Sequence, residues 1–205
     1  MGTITTIFSD VGGVILTNGW DRNARRVGAE KFGLDWEEFQ DRHDLAGQEF
    51  EIGRISLDQY LARTIFYRHR DFTPDQFKEF MFAQSQPFPE TLAIMDRLAR
   101  SGRYLMSTLN NEELELNNYR IEHFELRKYF TLFLSSCFLH MRKPDEVIYR
   151  TALAIVQRRP EECLFIDDRR LNVEAASALG IRTILHENPE QLLNDLVAQG
   201  IELAA

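Results

Sequence analysis

The stretch Phe8-Ser9-Asp10-Val11-Gly12-Gly13-Val14-Ile15-Leu16 limits the folds open to this chain more than any other. An apolar run enters it, one acid interrupts the run, and a glycine pair lets the backbone turn. Residues 3–8 are β-branched or aromatic at most positions and read as a buried strand. Such a strand delivers Asp10 to its carboxyl end, the edge at which ligands bind in open α/β sheets. Taken alone, Asp10 is equally well read as an acid that caps a turn.

The rest of the chain supplies partners for that strand. Residues 18–86 carry helical signals and no strand signal. Helices are expected over 21–32, stopped by Gly33, and over 36–42. Two more begin at Leu57 and Pro74, where Ser56 and Thr73 each stand three residues before a Gln. Val14 to Leu16 is read as a short extended flap, and Pro87-Phe88-Pro89 as a stiff connector. After it, helix and strand alternate. Helices are expected at 90–101, 112–128, 145–157, 172–179 and 189–198, and strands at 104–108, 130–134, 164–166 and 183–185. Alternation of this kind implies an α/β fold, a doubly wound, mostly parallel sheet with helices on both faces. The expected organisation is a core formed by 1–17 and 87–205 with an all-helical cap, 18–86, inserted into it.

With 205 residues, 44% of them apolar, the chain is long enough for one core and such an insertion. A net charge of −8 spread along the sequence disfavours nucleic acid and anionic membrane surfaces, yet leaves room for a small anionic substrate in a local basic pocket. The two cysteines, Cys137 and Cys163, lack metal or redox spacing and read as buried thiols. No basic leader or long apolar run opens the chain, so a cytoplasmic protein without a membrane anchor is expected.

Two further stations carry chemistry. Cys163-Leu164-Phe165-Ile166-Asp167-Asp168 is a second apolar strand ending in acid, with Asn172 at helical spacing beyond it. If the two strands are neighbours, Asp10 and Asp168 offer hard oxygen ligands at one point, which suits Mg²⁺ better than zinc. The alternative is that Asp167 or Asp168 caps the next helix. Met141-Arg142-Lys143-Pro144-Asp145 is a basic loop before a helix, and Lys143 is either a phosphate partner or an ordinary surface lysine.

In order and position these stations resemble the haloacid dehalogenase superfamily. That resemblance covers nearly the whole chain and implies a Rossmann-like core with a helical C1-type cap. Met141-Arg142-Lys143-Pro144, Phe165-Ile166-Asp167-Asp168 and Gly12 look most like its bacterial α-D-glucose-1-phosphate phosphatase branch. By resemblance, Asp10 is a nucleophile that forms an aspartyl-phosphate and Lys143 holds the phosphate. The metal station is then Asp10, the carbonyl of Gly12 and Asp168, with Asp167 and Asn172 in support. The implied activity is Mg²⁺-dependent hydrolysis of a small phosphorylated metabolite, such as a sugar phosphate, by a monomer or weak homodimer.

The chain departs from the family pattern twice. Gly12 stands where most family phosphatases carry a second Asp as general acid and base, a loss worth about 10²–10⁴-fold. In Ser107-Thr108-Leu109-Asn110-Asn111, Leu109 falls where a phosphate-binding hydroxyl is expected. Asn110 then keeps the family's Asn, Asn111 follows it, and a bulge could bring Thr108 to the phosphate. A slow or selective enzyme follows. The rivals are a metal-free 2-haloacid dehalogenase and a catalytically silent binding protein on the same fold.

Glu49-Phe50-Glu51-Ile52-Gly53-Arg54-Ile55-Ser56 resembles the loop that such caps lower onto the site, making Arg54 and His43 candidates for substrate contact, although His43 reads more simply as an ordinary exposed histidine. Phe66, Tyr67, Phe72, Phe77, Phe80 and Phe82 are expected in the core of the cap.

Overall fold

The computed structural model describes residues 2–204; Met1 and Ala205, the outer limits of the expected core, lie outside the described residues. β1 (Thr6–Ser9) is buried along its whole length. Its side chains alternate, Ile7 entering one apolar layer and Phe8 the other, so both faces of the sheet need cover. The other strands are β2 (Leu105–Asn110), β3 (Leu132–Ser135), β4 (Cys163–Asp167) and β5 (Arg182–Leu185). They pair in the order β3-β2-β1-β4-β5, every pair parallel. This is the doubly wound α/β sheet that the alternation implies.

Strand order reverses at β1. The chain moves outward through β2 and β3, then returns to place β4 on β1's other side. A crevice opens where connections leave in opposite directions, and Asp10 and Asp167 reach it from neighbouring strands. The Asp10 N–H continues the ladder by donating to the Ile166 carbonyl at 2.8 Å.

Between β1 and the helix α5 (Pro89–Arg100) lie four helices: α1 (Arg22–Lys31), α2 (Trp36–Glu51), α3 (Leu57–Thr64) and α4 (Pro74–Ala83). Asp21 and Asp35 cap the first two through Ala24 and Glu38 N–H groups. Ser56 with Gln59, and Thr73 with Gln76, form the reciprocal capping pairs read from the sequence. These helices bury an apolar centre of their own that includes Trp20, Phe39, Phe50, Tyr60 and Phe77. α2 runs nine residues past the expected 36–42 because Ala46 and Phe50 continue the buried face begun by Phe39 through a mostly polar sequence.

Two sequence expectations change. Val14, Ile15 and Leu16 are fully buried, not a flap; their N–H groups fold back toward the Val11 carbonyl, which puts three apolar side chains into the core. Of the six aromatics, Phe77 and Phe80 are in the helical centre and Phe66, Phe72 and Phe82 pack against it. Tyr67 lies past the end of α3, where helical spacing no longer applies, and the Arg42 guanidinium sits 3.3 Å above its ring.

The remaining helices are α6 (Leu114–His123), the single turn α7 (Ser136–Leu139), α8 (Glu146–Val156), α9 (Arg170–Ala178) and α10 (Pro189–Ala198). The expected helix 112–128 is α6 followed by a short 3-10 turn at Leu126–Lys128. Both cysteines are buried and free. Among the described residues no helix is long and apolar enough to cross a membrane.

Candidate active site

Asp10 projects just past β1 with 7% of its surface exposed, and the Val11 N–H donates to its Oδ1 at 2.7 Å. Its other oxygen, Oδ2, lies 2.9 Å from Lys143 Nζ. Lys143 is itself 2% exposed, and its ammonium also reaches Asp167 Oδ2 at 2.6 Å. The loop carrying Lys143 is clamped by Asn111, whose Oδ1 accepts from the Lys143 N–H and whose Nδ2 donates to its carbonyl, both at 2.9 Å. Asp167 ends β4 fully buried and accepts from the Arg169 N–H and from Asn172 Nδ2.

Burial raises Asp10 to about 7, the Asp167 charge adds to this, and Lys143 opposes it. For Lys143, burial works downward, but the charges of Asp10 and Asp167 outweigh it and hold the ammonium protonated. Burial, then Asp167, also raises Asp168. Asp10, Asp167 and Asp168 each offer an oxygen within 4.8 Å of the other two. Asp168 Oδ1 is buried and has no partner among the described residues, and the position facing it is Gly13, where a Cβ would stand 2.2 Å from Asp168 Oδ2. A closely spaced set of oxygen donors with one left unsatisfied fits a small hard cation such as Mg²⁺.

Above this cluster lies a cavity of about 950 Å³ lined both by the sheet edge and by α1 and α2. Asp10, Gly12, Asn111, Lys143 and Asn172 line it. Thr108 and Asn110 do not: Thr108 is the register partner of Ser9, and Asn110 is held below the cavity by Asn117 and Ser135. Leu109 is fully buried in the apolar layer with Phe8 and Phe165. Asn111 reaches the cavity because it lies one residue past the end of β2, while Thr108 and Asn110 stay within the strand.

His43 is not an ordinary exposed side chain. It is partly buried, lines the cavity and bonds Tyr60 through Nδ1 at 2.9 Å, and burial pushes its pKa down to about 4. Arg54 is exposed and outside the cavity lining. Its loop docks by backbone, because the carbonyls of Glu51 and Ile52 accept from Ser136 Oγ (2.6 Å) and His140 Nδ1 (2.8 Å). Gly53, with φ +69°, faces the Cys137 carbonyl so closely that a Cβ would come within 2.6 Å of it. The next residue, Arg54, is left pointing away.

Sequence reasoning did not single out Arg25, Glu112 or Glu113, which also line the cavity. Glu112 and Glu113 follow Asn111 beyond the end of β2, so the strand-end logic applied to Asp10 would have found them. Burial raises both carboxyls. Glu112 pairs with Arg120 at 2.7 Å, and Arg120 donates to the Thr17 carbonyl (2.9 Å) and to Ser85 Oγ (3.0 Å). One buried guanidinium thus joins the cavity wall to both connections between the sheet and the four helices.

The chain is similar to known proteins over most of its length. The family model described as haloacid dehalogenase-like hydrolase matches residues 4–180. The chain is 30% identical over 172 residues to flavin mononucleotide hydrolase 1 of Arabidopsis thaliana, covering 80% of this chain and 65% of that protein. Matches to the bifunctional epoxide hydrolase 2 of Sus scrofa span 13% of that protein's length. Among solved structures, a Bacteroides thetaiotaomicron HAD family enzyme in complex with magnesium and inorganic phosphate aligns at TM-score 0.72 and 21% identity, covering 90% of this chain and 94% of that one. An L-2-haloacid dehalogenase aligns at TM-score 0.60 and 21% identity over 88% of this chain and 83% of its own. At these identities the two structures share the fold. With the family model covering most of its length, the chain belongs to the haloacid dehalogenase-like hydrolases.

Proposed function

We propose that this hydrolase is an Mg²⁺-dependent phosphatase of a small phosphorylated metabolite, working through an aspartyl-phosphate on Asp10. The observation that carries the reading is the buried cluster in which Asp10 Oδ2 stands 2.9 Å from Lys143 Nζ beside Asp167 and Asp168. Asp10, the Gly12 carbonyl and Asp168 would hold Mg²⁺, with Asp167 and Asn172 orienting them. Bound there, the ion would supply charge neutralisation for the phosphoryl group. The acidic pair favours this over carbon–halogen displacement, which needs no metal station.

In this mechanism the Asp10 carboxylate attacks phosphorus and the ester oxygen leaves. Lys143 offsets charge that spreads over the equatorial oxygens, and Asn111 keeps the lysine loop in place. Water then hydrolyses the acyl phosphate. Gly12 carries no proton, and the space beside it is taken, since a Cβ there would be 3.1 Å from Asn18 Oδ1. Turnover is therefore slow unless the leaving group is already good, as in a sugar 1-phosphate. Residues 18–86 act as the cap that chooses the substrate, in the manner of C1-capped relatives and of the glucose-1-phosphate phosphatase branch.

The test is phosphate release from a panel that includes glucose 1-phosphate and flavin mononucleotide, with Mg²⁺ or EDTA, beside halide release from 2-chloropropionate. Metal-dependent phosphate release supports the reading. Metal-free halide release, or no turnover of any compound, rejects it.

A further inference from the structure

Three Lys or Arg side chains are buried among the described residues: Lys143, Arg120 and Arg25. Lys143 pairs with Asp10 and Asp167, and Arg120 pairs with Glu112. Arg25, 8% exposed, has no carboxylate at ion-pair distance among the described residues. Its hydrogen bonds go to neutral oxygens, from Nη1 to the Trp20 carbonyl at 2.7 Å and from Nε to Gln40 Oε1 at 3.4 Å. Asp21 and Asp44, which also line the cavity, act on its charge without pairing with it, their carboxylates accepting from the Ala24 N–H (2.8 Å) and Gln40 Nε2 (2.7 Å). A buried cation with no carboxylate in contact is costly, and this one lines the cavity.

The wall around it is built to donate as well. Trp20 Nε1 donates to Tyr60 Oη at 3.0 Å, and His43 Nδ1 is 2.9 Å from the same oxygen. Indole is a donor only, so Tyr60 Oη accepts from Trp20; with the phenolic proton directed to His43 Nδ1, the neutral imidazole carries its own proton on Nε2. Gly47, one turn further along α2, also lines the cavity, and a Cβ there would lie 2.9 Å from His43 Nε2. The absent side chain keeps that N–H clear.

We propose that Arg25, assisted by the His43 Nε2–H, holds a second anionic group of the substrate, so that the cavity selects phosphate esters carrying a carboxylate or second phosphate away from the scissile ester. This rests on the phosphatase reading for the identity of the first group. α1 and α2 carry the proposed anion site, while the sheet edge carries Asp10 and Lys143. The selected substrate would thus bridge the two walls.

The test compares matched probes: 3-phosphoglycerate with glycerol 3-phosphate, 6-phosphogluconate with sorbitol 6-phosphate, and fructose 1,6-bisphosphate with fructose 6-phosphate. Turnover is measured with Mg²⁺, and binding by calorimetry in EDTA. At least one acidic member should be favoured about tenfold, in kcat/KM through KM and in Kd. Arg25→Gln should bring that ratio to within about twofold and Arg25→Lys should retain part of it. A carboxylate pair that responds while the bisphosphate pair does not identifies the group, and the reverse identifies a phosphate site. Wild-type ratios near one throughout, or a preference that survives Arg25→Gln, overturn the proposal. If no ester is turned over, the phosphatase reading fails, and the Kd ratios alone still decide the anion site. Should Arg25→Gln not fold, the wild-type ratios and Arg25→Lys carry the decision.

Discussion

Lys143 and Asp10, from opposite halves of the sequence, meet at 2.9 Å with almost no exposure of either. Asp167 shares the same ammonium at 2.6 Å, so one cation holds two carboxylates, and the Asp167 charge adds to the burial that raises Asp10. Removing it as Lys143→Met should lower stability by about 3–5 kcal/mol, the range for breaking a buried ion pair. Urea denaturation measures this. Mg²⁺ should raise the melting temperature of Lys143→Met more than that of the wild type, because the carboxylates then lack any other cation.

Asp10→Asn keeps the shape of the side chain and removes its nucleophilic charge. Turnover of the best ester should fall by roughly 10⁴-fold or more, with the circular dichroism spectrum unchanged. A residual rate within tenfold of the wild type would mean that Asp10 does not attack.

Gly13 tests the metal station without altering a ligand. At φ +77° a side chain is strained, and a Cβ would collide with Asp168 Oδ2 at 2.2 Å. Gly13→Ala should abolish the Mg²⁺-dependent rise in melting temperature. Gly33→Ala, also at positive φ (+61°) but with nothing within 4 Å, should cost only about 1 kcal/mol and leave that rise intact.

Arg120 joins Glu112 to Thr17 and Ser85 with only 1% of its surface exposed. Arg120→Met leaves the Glu112 carboxyl buried without its cation and should destabilise by about 3–5 kcal/mol. Adding Glu112→Gln should restore a large part of the loss in a double-mutant cycle, because the second change removes the stranded charge.

His43 predicts a pH dependence. Its pKa falls from 6.5 when free to about 4 in the fold, mainly through burial, so between these values the unfolded chain binds a proton that the native state does not. Its contribution to stability is complete above about pH 6.5 and is lost as pH falls toward about 4. The slope is at most about 1.4 kcal/mol per pH unit. Denaturation across that window should show a shallower loss for His43→Gln than for the wild type.

Much of the fold could be read from local residue order. Hydrophobic runs of strand length, the Ser56–Gln59 and Thr73–Gln76 caps, and Pro at helix starts are short-range signals, and each recurs where expected. The same reading marked Asp10, Asp167 and Asp168 as acids at strand ends, and a parallel sheet brings neighbouring strand ends together by geometry. It was less successful where chemistry depends on which face a side chain takes. Asn111 reaches the cavity while Asn110 lies beneath it, because β2 ends at Asn110 and the backbone leaves the sheet at the next residue.

Local order determined the strand ends, the parallel alternation and the acids and lysine of the cluster, since each depends on residues close in sequence. Tertiary packing alone decided the cavity's far wall. Arg25 has no motif, and its burial with no carboxylate in contact arises only when α1, α2 and the Trp20 segment close around it. His43 likewise acquires its neutral ring from burial and its Nδ1 contact from Tyr60, which no spacing in the sequence links to it. Desolvation and hydrogen-bond direction are properties of assembled surroundings, so they appear only once distant segments meet.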